Sequence, residues 1–293
     1  MIIDYKEVDT LEQISEDACQ EIPADGCREN YILPFQISRQ NLLSNKLADV
    51  EEDAAHWAAE ECPEHLFFSH GQFRKGGLQH VSDELNQKRT SNRALYSLIN
   101  QKNITDSGDD PIPSFMVFQC LLDEHSDVLF VSVYFRALEV SSFLRINLEE
   151  IRQNLVNLYE KNVNFDRVKL LITAGRAHHT PGQLSLERPK IDLFTQLKLY
   201  KMLKESPAEI RELLIEKASA QSVISYKSLE LLKECLEEVN CSQLKINDLQ
   251  KAIDVSIQLQ LYRQQGSHSN RVSELTKELK ETLESLAERF VNG

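Results

Sequence analysis

The chain has 293 residues, and its 46 acidic and 33 basic side chains give a formal charge of -13. Nonspecific nucleic-acid binding depends on clustered Lys and Arg, so we do not expect it of this chain. No apolar run approaches the ~20 residues of a membrane helix, and residues 1–6 lack the basic start and apolar core of a signal peptide. The composition therefore predicts a cytoplasmic protein without a membrane partner.

The six cysteines are scattered along the sequence without C-x-x-C pairs. This spacing predicts neither a disulfide framework nor a structural zinc site. The adjacent pair His178 and His179 has no third ligand at a suitable spacing, so no metal site is predicted.

The first half of the sequence predicts a lead-in followed by mixed structure. Residues 1–40 are polar and mixed, which indicates an irregular N-terminal segment. Over 44–61, apolar residues recur every three or four positions, which predicts a helix anchored by Trp57. A second helix is predicted over 78–85, with Leu78, Val81 and Leu85 on one side.

Strand patterns follow in the region around residue 130. Residues 115–122 and 128–135 read as two strands of a hairpin, joined by the polar turn 123–127. An amphipathic helix over 148–159 and a short buried strand over 167–173 come next. Residues 41–188 therefore read as an α/β core.

Residues 189–293 read as a C-terminal helical region. Helices are predicted over 191–204, 207–220, 225–239, 246–264 and 269–291. Ser206 before Pro207 is a typical start signal for the second of them. The apolar stripe of the last helix implies a partner helix, either in this chain or in another protein.

Four segments in the middle of the chain together resemble the thymidylate synthase family. Residues 134–147, YFRALEVSSFLRIN, resemble the family's Q-R-S-x-D-x-F-L-G-x-P-F-N. Residues 91–100, SNRALYSLIN, are similar to S-R-R-x-x-x-S-x-W-N, and residues 113–119, PSFMVFQ, to P-C-H-x-x-x-Q. Residues 175–180, GRAHHT, are similar to G-D-x-H-x-Y, and all four segments follow in the family's order. The resemblance covers about residues 76–180 and implies an α+β fold: a thymidylate-synthase-like mixed sheet with flanking helices, here extended by the all-helical region.

The resemblance also implies a nucleotide-binding site. Arg136 corresponds to the arginine that holds the nucleotide phosphate, Asn147 to the asparagine that reads the pyrimidine, and His178 to the histidine that holds the sugar hydroxyl. Glu139 replaces an aspartate that touches folate and a water network. Arg93 corresponds to an arginine that reaches the partner subunit's nucleotide across a dimer, and Gln119 keeps its spacing from the nucleophile position.

Each of these residues also has a structural interpretation. An arginine in a strand needs an anion, which is either a phosphate or a buried carboxylate. Asn147 could be the N-cap of the helix that follows it. Gln119 could be a hydrogen-bonding partner in its hairpin, and His178 could belong to an exposed turn over 178–182.

The nucleophile position departs from the family, because Ser114 stands where the catalytic cysteine belongs and Phe115 where histidine follows it. A serine hydroxyl ionises far less readily than a thiol, so it cannot perform the same addition to the pyrimidine without a strong base. Cys120 lies six residues along the same strand, about 20 Å away at the strand rise. The family's later glutamine-rich run and closing tail are not visible either, so folate binding is not expected and no cofactor is predicted.

Three hypotheses follow from the sequence. The first is a catalytically altered, homodimeric protein that binds a pyrimidine nucleotide and reports it through the C-terminal helices, as a regulator or a component of a bacterial defence system. The second is a divergent pyrimidine methylase or hydroxymethylase that uses Ser114 or another group. The third is a dimeric platform that acts by protein–protein interaction through its helices.

Overall fold

The computed structural model describes residues 3–107, 111–180, 187–220, 225–265 and 269–290. The chain divides into two compact units. Unit 1 comprises Met1–Pro63, Phe68–Asp106 and Ile112–Ser185, and unit 2 comprises Glu64–Phe67, Ser107–Pro111 and Leu186–Gly293. Each unit has a hydrophobic core of its own.

Unit 1 is built around a mixed six-stranded sheet in the order β1-β2-β6-β5-β4-β3. The strands are β1 (Lys6–Glu7), β2 (Cys27–Ser38), β3 (Leu95–Ser97), β4 (Phe115–Leu122), β5 (Val128–Glu139) and β6 (Arg167–His178). β1 pairs with β2 and β5 with β6 in parallel, and the remaining pairs are antiparallel. The predicted hairpin is confirmed, and the strand predicted over 167–173 continues to His178.

The helices of unit 1 are α1 (Leu11–Glu21), α2 (Arg39–Ser44), α3 (Glu51–Ala58), α4 (His70–Arg74), α5 (Gly77–Gln87), α6 (Gln101–Asp106) and α7 (Phe143–Glu160). The apolar sides of α1, α5 and α7 join the core formed by alternate residues of the strands. Gly77 lies at the start of α5, where a Cβ would come within 2.6 Å of the Cβ of Tyr96. The helix can therefore approach β3 closely only because this residue has no side chain.

Two predictions for the N-terminal region are wrong. Residues 1–40 are not an irregular lead-in, since α1 begins with a capping box formed by Thr10 and Gln13, and β2 is a long strand inside the sheet. The burial pattern of β2 alternates from Tyr31 onward, but Pro34 and four exposed residues at its start hide that pattern in the sequence. The helix predicted over 44–61 covers only Glu51–Ala58.

Unit 2 contains a short 3₁₀ turn (Lys190–Leu193) followed by five helices among its described residues: α8 (Gln196–Glu205), α9 (Pro207–Ser219), α10 (Lys227–Glu238), α11 (Gln243–Gln265) and α12 (Asn270–Glu288). All five predicted helices are confirmed, but the first begins at Gln196, five residues later than predicted, because the 3₁₀ turn precedes it. The predicted end of the last helix at residue 291 lies outside the described residues. The apolar side of α12 packs in the unit's own core, through residues such as Leu275 and Leu283. The overall α+β class with C-terminal helices is thus confirmed.

Candidate functional site

Four of the residues singled out from the sequence lie at one end of the sheet. Ser114 immediately precedes β4, and its carbonyl oxygen accepts a hydrogen bond of 2.8 Å from the backbone N–H of Arg136 in β5. Glu139 and His178 are the last residues of β5 and β6, and they lie side by side in the parallel pairing. The strand register therefore brings together residues that are up to 64 positions apart in the sequence.

The sheet is irregular along one line at this end. The alternation of buried and accessible residues changes phase at Arg136–Ala137 in β5 and at Gly175–Arg176 in β6, and these positions are neighbours across the two strands. The register also shifts at the start of β4, between Phe115 and Val117. In β2, Asn30 has a φ of 51° and lies opposite Gly175. Such irregularities re-aim side chains, and beyond them Leu138 and Ala177 are buried in the core while Glu139 and His178 end the two strands.

Arg136 is a partly buried cation without a carboxylate neighbour among the described residues. Its Nε donates to the carbonyl oxygen of Pro113 at 3.3 Å, and its Nη2 donates to that of Ile112 at 3.1 Å. Burial lowers the pKa of Arg136. Among the described residues, the hydrogen-bond acceptors of the Arg136 guanidinium are these two carbonyl oxygens, and no carboxylate pairs with it there.

Gly175 allows the strands to come close beside Arg136. A Cβ at this position would lie 3.0 Å from the carbonyl oxygen of Arg136 and 3.3 Å from the Oη of Tyr134. Tyr134 is 42% exposed, and its ring leans across the strand toward Gly175. A side chain at residue 175 would therefore crowd these two oxygens unless they moved slightly.

Glu139 has a structural role at the start of α7. Its carboxylate accepts hydrogen bonds from the backbone N–H groups of Ser141, Ser142 and Phe143, from the Ser141 hydroxyl and from the N–H of Thr180. Burial acts to raise the pKa of Glu139, but the bonds from Ser141, Ser142 and Phe143 outweigh it and the pKa is lowered. The carboxylate is consequently ionised, and its oxygens accept hydrogen bonds from the N–H groups at the start of α7.

Asn147 lies inside α7, one turn beyond its start. The helix begins at Phe143 with Ser142 as its N-cap residue, so the interpretation of Asn147 as an N-cap is wrong. Its side chain is 7% exposed and forms no hydrogen bond within the described part of the chain. Its amide atoms are not among the fully buried polar atoms that lack a partner, so its burial gives no separate evidence for a ligand.

His178 is held at a strand end. Its carbonyl oxygen accepts a bond of 2.9 Å from the N–H of Val140, and its neighbour His179 bonds through Nδ1 to the carbonyl oxygen of Ile22 at 2.7 Å. The exposed turn considered over 178–182 therefore does not describe these two histidines, while residues 181 and 182 lie outside the described residues. The backbone of His178 is thus fixed at the end of β6, and its side chain is half-buried.

Gln119 and Arg93 lie far from this end of the sheet in the same subunit. The Gln119 amide donates to the carbonyl oxygen of Asn92 at 3.3 Å, as its structural interpretation predicts. Arg93 is exposed just before β3, where the carbonyl oxygen of Ala94 accepts from the N–H of Cys120. Cys120 is six residues along β4 from Ser114, so Arg93 is separated from the Ser114 end by about 20 Å along the strands.

The thiol of Cys120 cannot replace a nucleophile at Ser114. Cys120 is fully buried in the hydrophobic core, and burial raises the pKa of its thiol. A protonated thiol without access to solvent is unreactive. Ser114 is half-buried, and its position in the chain gives it Arg136 as its neighbour in the adjacent strand.

A group of buried polar residues in α7 was missed from the sequence. Glu149 is 0% exposed, and it forms a two-pronged ion pair with Arg152 at 2.6 to 2.9 Å and accepts from the N–H of Leu47 at 3.0 Å. Glu150 bonds to Nδ1 of His70 at 2.6 Å. The sequence places Glu149 and Glu150 directly after Leu148, which is typical of an exposed first helical turn. The signal that could have revealed them is the spacing of three between Glu149 and Arg152, within a helix whose other core positions are apolar.

The same buried group continues toward β3. Asn154 accepts from Nη1 of Arg74 at 2.6 Å and donates to the hydroxyl of Tyr96 at 3.2 Å. The ring of His70 packs against Trp57 and Phe115, with ring centroids 4.9 and 5.4 Å away. Every member of this network has its partner inside unit 1.

Other site types find no support in the described residues. In the described ranges, no three or more His, Cys, Asp or Glu side chains are grouped so that they could hold a metal ion. No helix there is long and apolar enough to cross a membrane. No protein-family model matches the sequence, and no curated protein matches it.

Proposed function

We propose that this chain is a thymidylate-synthase-like protein that binds a pyrimidine nucleotide as a homodimer and does not transfer a methyl group. The observation that carries the proposal is Arg136, a partly exposed guanidinium with no carboxylate partner in the described chain. It lies beside Ser114, at the end of the sheet where β6 ends with His178. A guanidinium that is not paired with a carboxylate of the described ranges is a suitable phosphate ligand.

The absence of methyl transfer is argued from the nucleophile position. Ser114 has no imidazole beside it in sequence, since Phe115 follows and packs into the core. Cys120 is buried and its thiol stays protonated. Loss of C5 tritium from labelled dUMP or dCMP would contradict this part of the proposal and favour the enzyme hypothesis.

The dimer is proposed through the sheet face opposite the helices of unit 1. Two large apolar residues are exposed on this face: Ile32 (55% exposed) in β2 and Tyr134 (42% exposed) in β5. These two strands are separated by β6. Arg93 is too far from Arg136 to share a ligand within one subunit, so only a partner's Arg93 could reach it. We expect sedimentation to show a dimer that Tyr134→Asp dissociates.

Titration calorimetry with dUMP, dCMP and dTMP tests nucleotide binding. We expect binding of at least one nucleotide by the wild type and a loss of about tenfold or more in Arg136→Gln. Arg167→Gln is the matched control, because Arg167 is an exposed arginine at the other end of β6. If none of the three nucleotides binds, the proposal is wrong.

Mixed dimers test the role of Arg93 separately. When Arg93→Gln and Arg136→Gln subunits are mixed, a heterodimer carries one site with both substitutions and one site with neither. We therefore expect the mixture to recover binding that each variant lacks alone. Failure to recover binding, with heterodimers present, would mean that Arg93 does not act across subunits.

A second candidate is the protein-binding platform, which is favoured by the surface of unit 2. The long helix α11 carries exposed apolar side chains, with Leu261 54% and Leu244 56% exposed. Under this hypothesis, Leu261→Glu abolishes binding of the protein partner, while Arg136→Gln leaves that binding unchanged. Binding of the protein partner that depends on added nucleotide and on Arg136 instead supports the first hypothesis, a protein that binds a nucleotide and reports it.

A further inference from the structure

The outer face of α11 differs from that of the neighbouring helix α12. Most exposed residues of α12 are charged, and several form ion pairs along the helix, such as Lys277 with Glu281. Among the exposed residues that the structure describes in α11, only Lys251 and Asp254 are charged. The cores of protein–protein interfaces are depleted in charged residues, so the outer face of α11 has the composition of an interface.

The exposed residues of α11 follow a heptad spacing. Residues that alternate in steps of three and four lie on one side of a helix and are the a and d positions of a helix that packs against another. In α11 six exposed residues have this spacing: Leu244, Asn247, Lys251, Asp254, Gln258 and Leu261. We call them the heptad face. Its two leucines are 56% and 54% exposed, and they lie at its two ends.

The heptad face is complementary to itself when two copies of α11 run antiparallel. In such a pair each a residue shares a layer with a d residue of the other helix. When the two-fold axis passes between residues 252 and 253, Leu244 shares a layer with the partner's Leu261, and Lys251 with the partner's Asp254. The remaining layer brings together the two amide side chains, which can each donate and accept. Every one of these contacts occurs twice in the pair.

The two central charges favour the antiparallel arrangement. In a parallel pair Lys251 would face its own copy, and so would Asp254, which places like charges together. The partners of these residues within the chain are weak competitors because they lie at the surface. Lys251 contacts Glu278 at 3.4 Å with 57% and 41% of the two side chains exposed, and Asp254 accepts from the exposed Gln250 amide at 2.8 Å.

The net charge of the chain also favours this face for contact between two copies. The chain carries a charge of -13, so two copies repel each other over most of their surfaces. On the heptad face one lysine balances one aspartate, and the face is neutral. Two copies can therefore approach here without repulsion between acidic groups.

We propose that the heptad face of α11 is a self-association surface whose occupant is the α11 of a second copy, antiparallel about an axis between residues 252 and 253. This assigns the exposed leucines of α11 to a second copy and not to a different protein. The contact is about 25 Å long and has apolar layers only at its ends, so the association is weak and reversible. It depends neither on a nucleotide nor on the dimer proposed through the sheet. With that dimer, it would link subunits into a closed tetramer or an open chain.

Charge exchange at the central layers tests the pairing by sedimentation of the full chain. All proteins carry Tyr134→Asp, so that the proposed sheet dimer does not contribute. We expect this parent to dimerise reversibly, and Lys251→Asp and Asp254→Lys each to weaken the dimer about tenfold or more, because each places like charges in both central layers. A mixture of the two variants should dimerise again, since every central layer then holds opposite charges. Lys277→Asp makes the same change in charge on α12 and should leave the dimer unchanged.

Three outcomes would overturn the proposal. A parent that stays monomeric up to the highest soluble concentration, or charge variants that associate as the parent does, would remove the contact. A mixture that does not regain association would mean that the two copies do not pair in this register. Equal losses in Lys277→Asp and Lys251→Asp would reduce the effect to one of net charge. The substituted side chains are exposed, so unchanged thermal unfolding should confirm that each variant is folded and that sedimentation measures the contact itself.

Discussion

The buried network of α7 and the end of the sheet at Arg136 handle charge in opposite ways. In α7, Glu149 is paired with Arg152, and Glu150 with His70, so these buried charged groups are matched within the chain. At the sheet end, the Arg136 guanidinium has only carbonyl oxygens as partners within the described ranges. A charge matched inside the molecule serves the fold, whereas a charge left unmatched is available to something outside it.

The largest effect on stability is expected from breaking the α7 network. Arg152→Met leaves the fully buried carboxylate of Glu149 without its cation, which should lower the free energy of unfolding by about 3–5 kcal/mol. Urea denaturation followed by circular dichroism measures this. If Arg152→Met costs less than about 1 kcal/mol, the pair is not the structural element described above.

The double variant Glu149→Leu with Arg152→Met sharpens the same comparison. Removing both charges leaves only the N–H of Leu47 unpaired, so we expect the double variant to be more stable than Arg152→Met alone. A double variant that is less stable than both single variants would show that packing, rather than charge matching, dominates here.

A smaller effect is expected from Glu139→Gln, because Glu139 joins the two regions by capping α7 at the sheet end. The amide cannot accept all the bonds that the carboxylate accepts, so the free energy of unfolding should fall by about 2 kcal/mol at neutral pH. Its native pKa is lowered, so the contribution is complete above the unfolded pKa of about 4.3 and is lost as the pH falls through the lower native value.

Unfolding measured across pH checks the sign of this effect. The difference between the wild type and Glu139→Gln should shrink as the pH falls below about 4. A difference that grows in acid would mean that Glu139 is protonated in the native protein and that its role as an anionic cap is wrong.

The sequence predicts these two regions unequally, for physical reasons. The five helices of unit 2 carry regular apolar stripes, so their periodicity predicts them well. The strand β2 was missed because its apolar alternation covers only its second half, and Pro34 is unusual inside a sheet. The burial of Glu149 and Glu150 depends on partners from α3, α4 and the segment at Leu47, which no local pattern reveals.

The candidate site was predictable in part, because motif spacing identifies residue types while strand register decides which of them meet. Ser114 and Arg136 are neighbours, and so are Glu139 and His178, because β4, β5 and β6 are neighbours in register. The role of Glu139 as the acceptor for the start of α7 depends on backbone N–H groups. Side-chain motifs in the sequence do not reveal such groups.

The smallest effect on stability is expected at the residue proposed to matter most for function. Arg136→Gln should change the free energy of unfolding by less than about 1 kcal/mol, because it removes a partly desolvated charge together with two modest bonds to carbonyl oxygens. Arg152→Met is the matched comparison, since both substitutions remove one arginine from unit 1. A loss of several kcal/mol in Arg136→Gln would place Arg136 with the structural charges of α7, and the main argument for a bound phosphate would then fail.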